Sequence, residues 1–145
     1  MYWLVDKIAP MISLFYHPPT WTYTIERLLQ LPDGTIGKQT AMLLQQKHLS
    51  FVPKYESHDF KHVLLDYEMD GLGETRMVFF AFGNGNRSFI TCSSMILGIH
   101  LYPMQLKLFY QDYLRGKHCA NISNWDFASL ASEPCILLKQ KLYQP

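Results

Sequence analysis

The sequence predicts an all-α fold, a single-domain helical bundle of about six to eight helices over residues 1–145. Apolar residues recur at spacings of three and four along most of the chain. Between these stretches stand the residue types that start and stop helices: Ser, Thr or Asp before, Pro and Gly after. No internal repeat, linker or low-complexity block divides them, and a chain of 145 residues is long enough to bury about 70% of its unfolded surface around one core.

The elements follow in order. Leu4, Ile8, Met11, Ile12 and Phe15 form one face of a first helix that Pro10 should kink and His17-Pro18-Pro19 ends. Thr20 reads as the N-cap of a second, carrying Ile25, Leu28 and Leu29 inward to the Pro32-Asp33-Gly34 turn. Thr35 caps a third, from Ile36 to about His48, and Pro53 closes the stretch after it. Ser57 caps a fourth, in which Phe60, Val63, Leu64 and Tyr67 match the i, i+3, i+4, i+7 template until Gly71-Leu72-Gly73 interrupts it. Met77 to Phe82 reads as helix or strand and ends at the Gly83-Asn84-Gly85-Asn86 turn. Helix resumes at Ser88, breaks at Pro103 and continues through Leu106, Phe109, Tyr110 and Tyr113 to Arg115-Gly116, with Gly116 suited to C′. A short helix near Trp125 to Ala131 and a last one opened by Pro134 complete the chain.

Composition narrows the function classes. Hydrophobic residues make up 48% and charged residues 17%, which excludes a disordered tail or linker. Thirteen Lys plus Arg against twelve Asp plus Glu, with no basic cluster, argues against nucleic acid as a partner. Cys92, Cys119 and Cys135 form no Cys-x-x-Cys pair, so a reducing compartment is expected. The N-terminus has neither a cationic secretory leader nor an Arg-rich import leader, which points to a cytoplasmic protein. The 19 uncharged residues between Arg87 and Lys107 have the length of a membrane span. Three serines, His100, Pro103 and Gln105 within them favour a buried core helix with a proline break.

One cluster rises above packing: His58-Asp59-Phe60-Lys61-His62, then Asp66 and Glu74. On a helical wheel with His58 at zero, His62 falls near about 40°, Asp66 near about 80° and Asp59 near about 100°. The apolar set of Phe60, Val63, Leu64 and Tyr67 falls elsewhere, at about 140° to 240°. Two imidazoles at i and i+4 can reach one cation, as they do in His-Glu-x-x-His zinc enzymes, and Glu74 could close the site from the next segment. With 6 histidines in 145 residues, chance alone yields His-Asp-x-x-His about 0.01 times. A polar, solvent-facing helix stripe is the competing reading. Two His with two carboxylates would accept Zn2+, Fe2+ or Mn2+.

His58-Asp59-x-x-His62, eleven residues, then Glu74 resembles the signature of the ubiquinone (coenzyme Q) biosynthesis protein four family, His-Asp-x-x-His-(x)11-Glu. Leu31-Pro32-Asp33-Gly34-Thr35-Ile36-Gly37 looks like the Leu-Pro-x-Gly-Thr-x-Gly turn that precedes the signature in that family. Leu114-Arg115-Gly116-Lys117 and Trp125 look like its C-terminal segment, so the likeness covers about residues 20 to 142. The resemblance implies an all-α fold in which His58, Asp59, His62 and Glu74 bind a divalent metal, usually taken as zinc, beside an apolar groove for an isoprenoid tail. It implies work on a prenylated aromatic quinone precursor. That work would be removal of the ring C1 carboxylate with hydroxylation, or non-catalytic organisation of a lipid-associated complex with other quinone biosynthesis proteins.

In the enzymatic form the metal is expected to act as Lewis acid and template, and four protein ligands would nearly fill a tetrahedral zinc site. Asp66 is the candidate for accepting the spare imidazole N–H of His62. Peripheral contact with the inner membrane face is an expectation, with Tyr2, Trp3 and Trp21 as candidate anchors or packing residues, and a homodimer stays open. A His-Asp phosphohydrolase would need His48 upstream and Asp112 or Asp126 downstream, and a zinc protease would need Asp59 to replace a longer glutamate base. Met42, Met77, Met95 and Met104 read as core filling, and His17, His48, His100 and His118 as ordinary histidines.

Overall fold

The computed structural model describes residues 21, 23–52 and 55–144. The described residues are 67% helical, with eight α-helices and no sheet among them, so the all-α class holds. They are α1 (Ile25–Leu29), α2 (Ile36–Gln46), α3 (Glu56–Leu65), α4 (Gly71–Gly83), α5 (Phe89–Leu101), a 3-10 turn (Pro103–Gln105), α6 (Leu106–His118), α7 (Phe127–Leu130) and α8 (Cys135–Tyr143). The expected helix from Leu4 to Phe15, the Thr20 cap, Tyr2, Trp3 and His17 lie outside the described residues. Two compact units emerge, Met1–Val63 with Asp126–Pro134, and Leu64–Trp125 with Cys135–Pro145, the boundary falling inside α3.

In the first unit, Thr24 caps α1, its side chain accepting from the Arg27 N–H. Thr35 caps α2 as the sequence predicts, accepting from the Lys38 N–H while its own hydroxyl donates to the Pro32 carbonyl at 2.8 Å. The first free N–H groups of α2 are satisfied from across the chain. Ile36 N donates to Glu133 O and Gly37 N to Ala131 O, each at 2.9 Å. The Leu-Pro-Asp-Gly-Thr-Ile-Gly stretch is therefore a helix start docked on the segment that follows α7. Phe60 of α3 is fully buried between Trp21, with ring centroids 5.2 Å apart, and Phe127, at 6.1 Å. Trp21 thus packs on aromatic neighbours, the packing role among the two considered for it.

In the second unit, the Met77 to Phe82 run is helical, within α4. Gly71-Leu72-Gly73 opens that helix instead of interrupting the previous one, because Asp70 caps it through a 2.7 Å bond from the Gly73 N–H. Gly116 is not a C′ residue either: α6 runs on to His118. Its missing side chain serves the crossing with α4, since a Cβ there would lie 2.1 Å from the Phe80 carbonyl oxygen, as one on Gly83 would from Tyr113 O. Phe79 and Phe109 stack across the same crossing with centroids 4.7 Å apart.

The uncharged stretch after Arg87 departs most from expectation. Ser88 caps α5, but of the α5 residues only Thr91 and Gly98 are buried. Phe89 is 86% exposed and, past the helix, Met104 is 90% exposed, while Ile96 and Leu101 also stand in the open. It is an apolar face without a covering neighbour among the described residues, not a buried core helix. Among the described residues no single helix is long and apolar enough to cross a membrane, and α5 is bent by 106° from the segment Pro103–His118. The methionines divide accordingly: Met77 is core, whereas Met42 and Met104 are exposed.

Candidate metal centre

Helix α3 begins at Glu56, one residue before the predicted cap. Its apolar stripe of Phe60, Leu64 and Leu65 is buried, which fixes the rotation of the helix and with it the direction of His58 and His62. One turn apart, the two imidazoles meet edge to face at 73° with Nε2 to Nε2 at 3.2 Å. Glu74 comes from the first turn of α4. The tight join before it depends on Gly73, where a Cβ would fall 1.9 Å from the Glu68 carbonyl oxygen. His58, His62 and Glu74 each offer one ligand atom, and these atoms all lie within 4.8 Å of one another.

The donor set suits a divalent ion. Zinc–nitrogen bonds of about 2.05 Å at tetrahedral angles place two nitrogens about 3.3 Å apart, close to the 3.2 Å separating the two Nε2 atoms. His62 is 1% exposed, so the solvent-facing stripe does not describe this helix. A buried imidazole needs partners for its ring nitrogens, and the convergence of His58 on it supplies one.

Asp59 lies outside the trio. As the residue next to His58 it leaves the helix about 100° away, whereas His62 leaves only about 40° away. Asp66 lies beyond the end of α3, in the left-handed region at φ 57°, so the wheel that aligned it with His62 does not extend to it. Its carboxylate pairs with Lys139 Nζ at 2.5 Å. Lys61 lays its ammonium over the Phe127 ring at 5.9 Å, and burial pushes its pKa down.

The second unit also holds a polar network that no sequence spacing announces, joining Tyr67 of the apolar set to Asp112, 45 residues on. Asp112 is 3% exposed. It receives Tyr67 OH at 2.8 Å on Oδ1 and the Arg76 guanidinium on both oxygens, Nε to Oδ2 at 2.9 Å and Nη2 to Oδ1 at 3.1 Å. Burial, then the bond to Asp112, pushes the Tyr67 phenol far above its ordinary value, which keeps it a donor. With Asp112 engaged in this way and Asp126 capping α7 through the Ala128 and Ser129 N–H groups, both aspartates considered for a phosphohydrolase have structural roles. His100 and His118 bond to carbonyls one turn back, Ile96 O and Leu114 O.

Along α4, Phe79 stands about 7.5 Å beyond Glu74 by helical rise. It opens an apolar groove of about 260 Å3 formed by Phe79 and Phe82 of α4, Met95 of α5 and Leu106, Phe109, Tyr110 and Tyr113 of α6. That volume lies just under the range of about 300–1,000 Å3 common for ligand pockets.

No family model matches the chain, and no curated protein matches it in sequence. Its fold does have a solved counterpart, the crystal structure of a protein from Nostoc punctiforme PCC 73102 provisionally described as a ubiquinone biosynthesis protein. The two superpose with a TM-score of 0.68 over 93% of this chain and 73% of the other, at 20% identity. At that identity the comparison shows a shared all-α fold.

Proposed function

We propose that the protein serves quinone biosynthesis, using a divalent metal held by His58, His62 and Glu74 to engage a prenylated aromatic precursor. The convergence of these three side chains carries the reading. The fold shared with the Nostoc protein and the resemblance of the His58 to Glu74 spacing to the coenzyme Q biosynthesis protein four signature support it. Zinc, or alternatively Fe2+ or Mn2+, would supply Lewis acidity and a template for a ring carboxylate or phenolate. His58 and His62 would offer Nε2, Glu74 a carboxylate oxygen, and Asp59 could add a fourth oxygen by turning its side chain. The role of Asp66 is narrower than orienting His62: paired with Lys139, it ties the exit of α3 to α8. The Phe79–Phe109 groove offers apolar walls to the first part of an isoprenoid tail, downstream of Glu74 on the same helix.

The enzymatic form replaces the ring C1 carboxylate by hydroxyl; because zinc has no redox chemistry, dioxygen is the two-electron oxidant, and with one water the products are the phenol, carbon dioxide and hydrogen peroxide. Metal-loaded protein given a prenylated aromatic carboxylate under air should release carbon dioxide. Binding without release would instead establish the second reading, a non-catalytic organiser that presents the lipid to other quinone biosynthesis proteins.

The exposed face of α5 favours peripheral contact with the inner membrane face of a cytoplasmic protein, and a homodimer would cover the same face. Exchanging Phe89 and Met104 for glutamate should lower co-sedimentation with anionic vesicles about tenfold or more, since each side chain would otherwise contribute about 1.5–3 kcal/mol on burial. Unchanged sedimentation would remove the membrane contact.

A further inference from the structure

Resting on the metal reading above, we propose that Asp112 and Arg115, one turn apart on α6, are positioning residues that set the approach of the α3 and α4 ligands to each other. Helix α6 is bonded to both helices close in the chain to the ligands, three residues past His62 and two past Glu74. Toward α3, Arg115 Nη1 donates to the carbonyl of Leu65, the last residue of that helix, at 2.9 Å. Its guanidinium also covers the Tyr67 ring at 5.2 Å, and the Tyr67 hydroxyl reaches Asp112. Toward α4, Asp112 holds Arg76 through two bonds.

Arg76 follows Glu74 by two residues, which places the two side chains about 200° apart around α4. Fastening Arg76 to α6 therefore fixes the rotation of α4 and turns Glu74 away from α6. The grip is rigid for three reasons. The acid is buried, the Arg76 fork is bidentate, and Gly83 and Gly116 let the two backbones meet without an intervening side chain. Tyr143 completes the frame, accepting from Arg115 Nε at 2.9 Å and from Nη2 at 2.6 Å. None of these residues offers an atom to the trio, so their influence on the metal passes through helix placement.

Cobalt(II) titration of the full chain, read by its visible ligand-field bands, tests the proposal. Asp112→Asn should weaken cobalt binding by about tenfold to a hundredfold and alter the band pattern, the loss typical when a supporting partner of a ligand is removed. Arg76→Lys keeps the charge but loses the planar fork, and should give a smaller loss with the same direction of spectral change. Leu138→Ala, which hollows the core at a fully buried site on α8, should lower thermal stability yet keep the wild-type spectrum and an affinity within about twofold. If Asp112→Asn does not fold, Arg76→Lys and Arg115→Lys decide by the same readout. Wild-type affinity and spectrum in the α4 and α6 variants would overturn the proposal, as would an equal loss in Leu138→Ala. A wild-type chain that takes up no cobalt would overturn the metal reading, and this one with it.

Discussion

Zinc affinity of the doubly substituted His58→Ala/His62→Ala chain is expected to fall by at least about 10^3-fold. The trio supplies two imidazole nitrogens and one carboxylate oxygen, so the double variant keeps only Glu74 of the three. Zinc sites assembled from nitrogen and sulfur donors bind with about 10–16 kcal/mol at neutral pH. A thousandfold loss corresponds to about 4 kcal/mol, a modest share for two of three donors. Elemental analysis of protein purified without chelators should find stoichiometric metal in the wild type and none in the variant. A competition titration then gives the size of the change. His62 is buried, so its removal also leaves a cavity and lowers stability. His58→Ala alone separates the effects: at this half-buried position the folding cost is small, while the metal loses a ligand. His118→Ala, on a side chain that bonds only its own helix, should leave the metal content unchanged. Stoichiometric metal in the double variant would place the ion elsewhere and remove the basis of the functional reading.

What the sequence discloses about this fold is what depends on neighbours in the chain. Thr35 and Ser88 cap the helices they precede because capping needs only an oxygen two or three residues before a free N–H. His58 and His62 converge because one helical turn brings them together, whatever surrounds the helix. Glu74 is different. Spacing alone cannot aim it, since its direction depends on Asp70 starting α4, on the backbone contact at Gly73 and on the fastening of Arg76. Its place just past the glycine break nominates it, and the resemblance of the whole signature singles it out. Gly116 looks like a terminator until α4 is seen lying against it. Asp66 keeps its place on a wheel only if the helix continues, and α3 stops one residue earlier. The α5 stretch carries the same limit in energetic form. A sequence says which residues would be stabilised by leaving water, but not whether any neighbour is there to receive them, and Phe89 and Met104 remain in the open.

Asn84 gives the largest expected effect on folding. By composition it belongs to a Gly-Asn-Gly-Asn turn, and its side chain would ordinarily face solvent. It is instead 7% exposed, and its amide ties the end of α4 to the chain leaving α6. Nδ2 donates to Gly116 O and Ala120 O, each at 3.0 Å, with Cys119 O at 3.4 Å beside them, while Oδ1 accepts from Ile122 N at 2.9 Å. Asn84→Leu keeps much of the volume but strands two carbonyls and an N–H, each costing about 1–3 kcal/mol when buried without a partner. A total loss of about 3–5 kcal/mol follows if the loop relaxes partway toward water, enough to lower the melting midpoint by about 10 °C or more in a chain of this size. Asn84→Asp should be at least as damaging, because a carboxylate cannot donate and would face three carbonyl oxygens from a buried position. Asn124→Ala, at an exposed position, should change stability by no more than about 0.5 kcal/mol. Thermal and urea unfolding of the three variants would measure the series, and an Asn84→Leu chain as stable as the wild type would show that the buried amide contributes nothing to the join between α4 and α6.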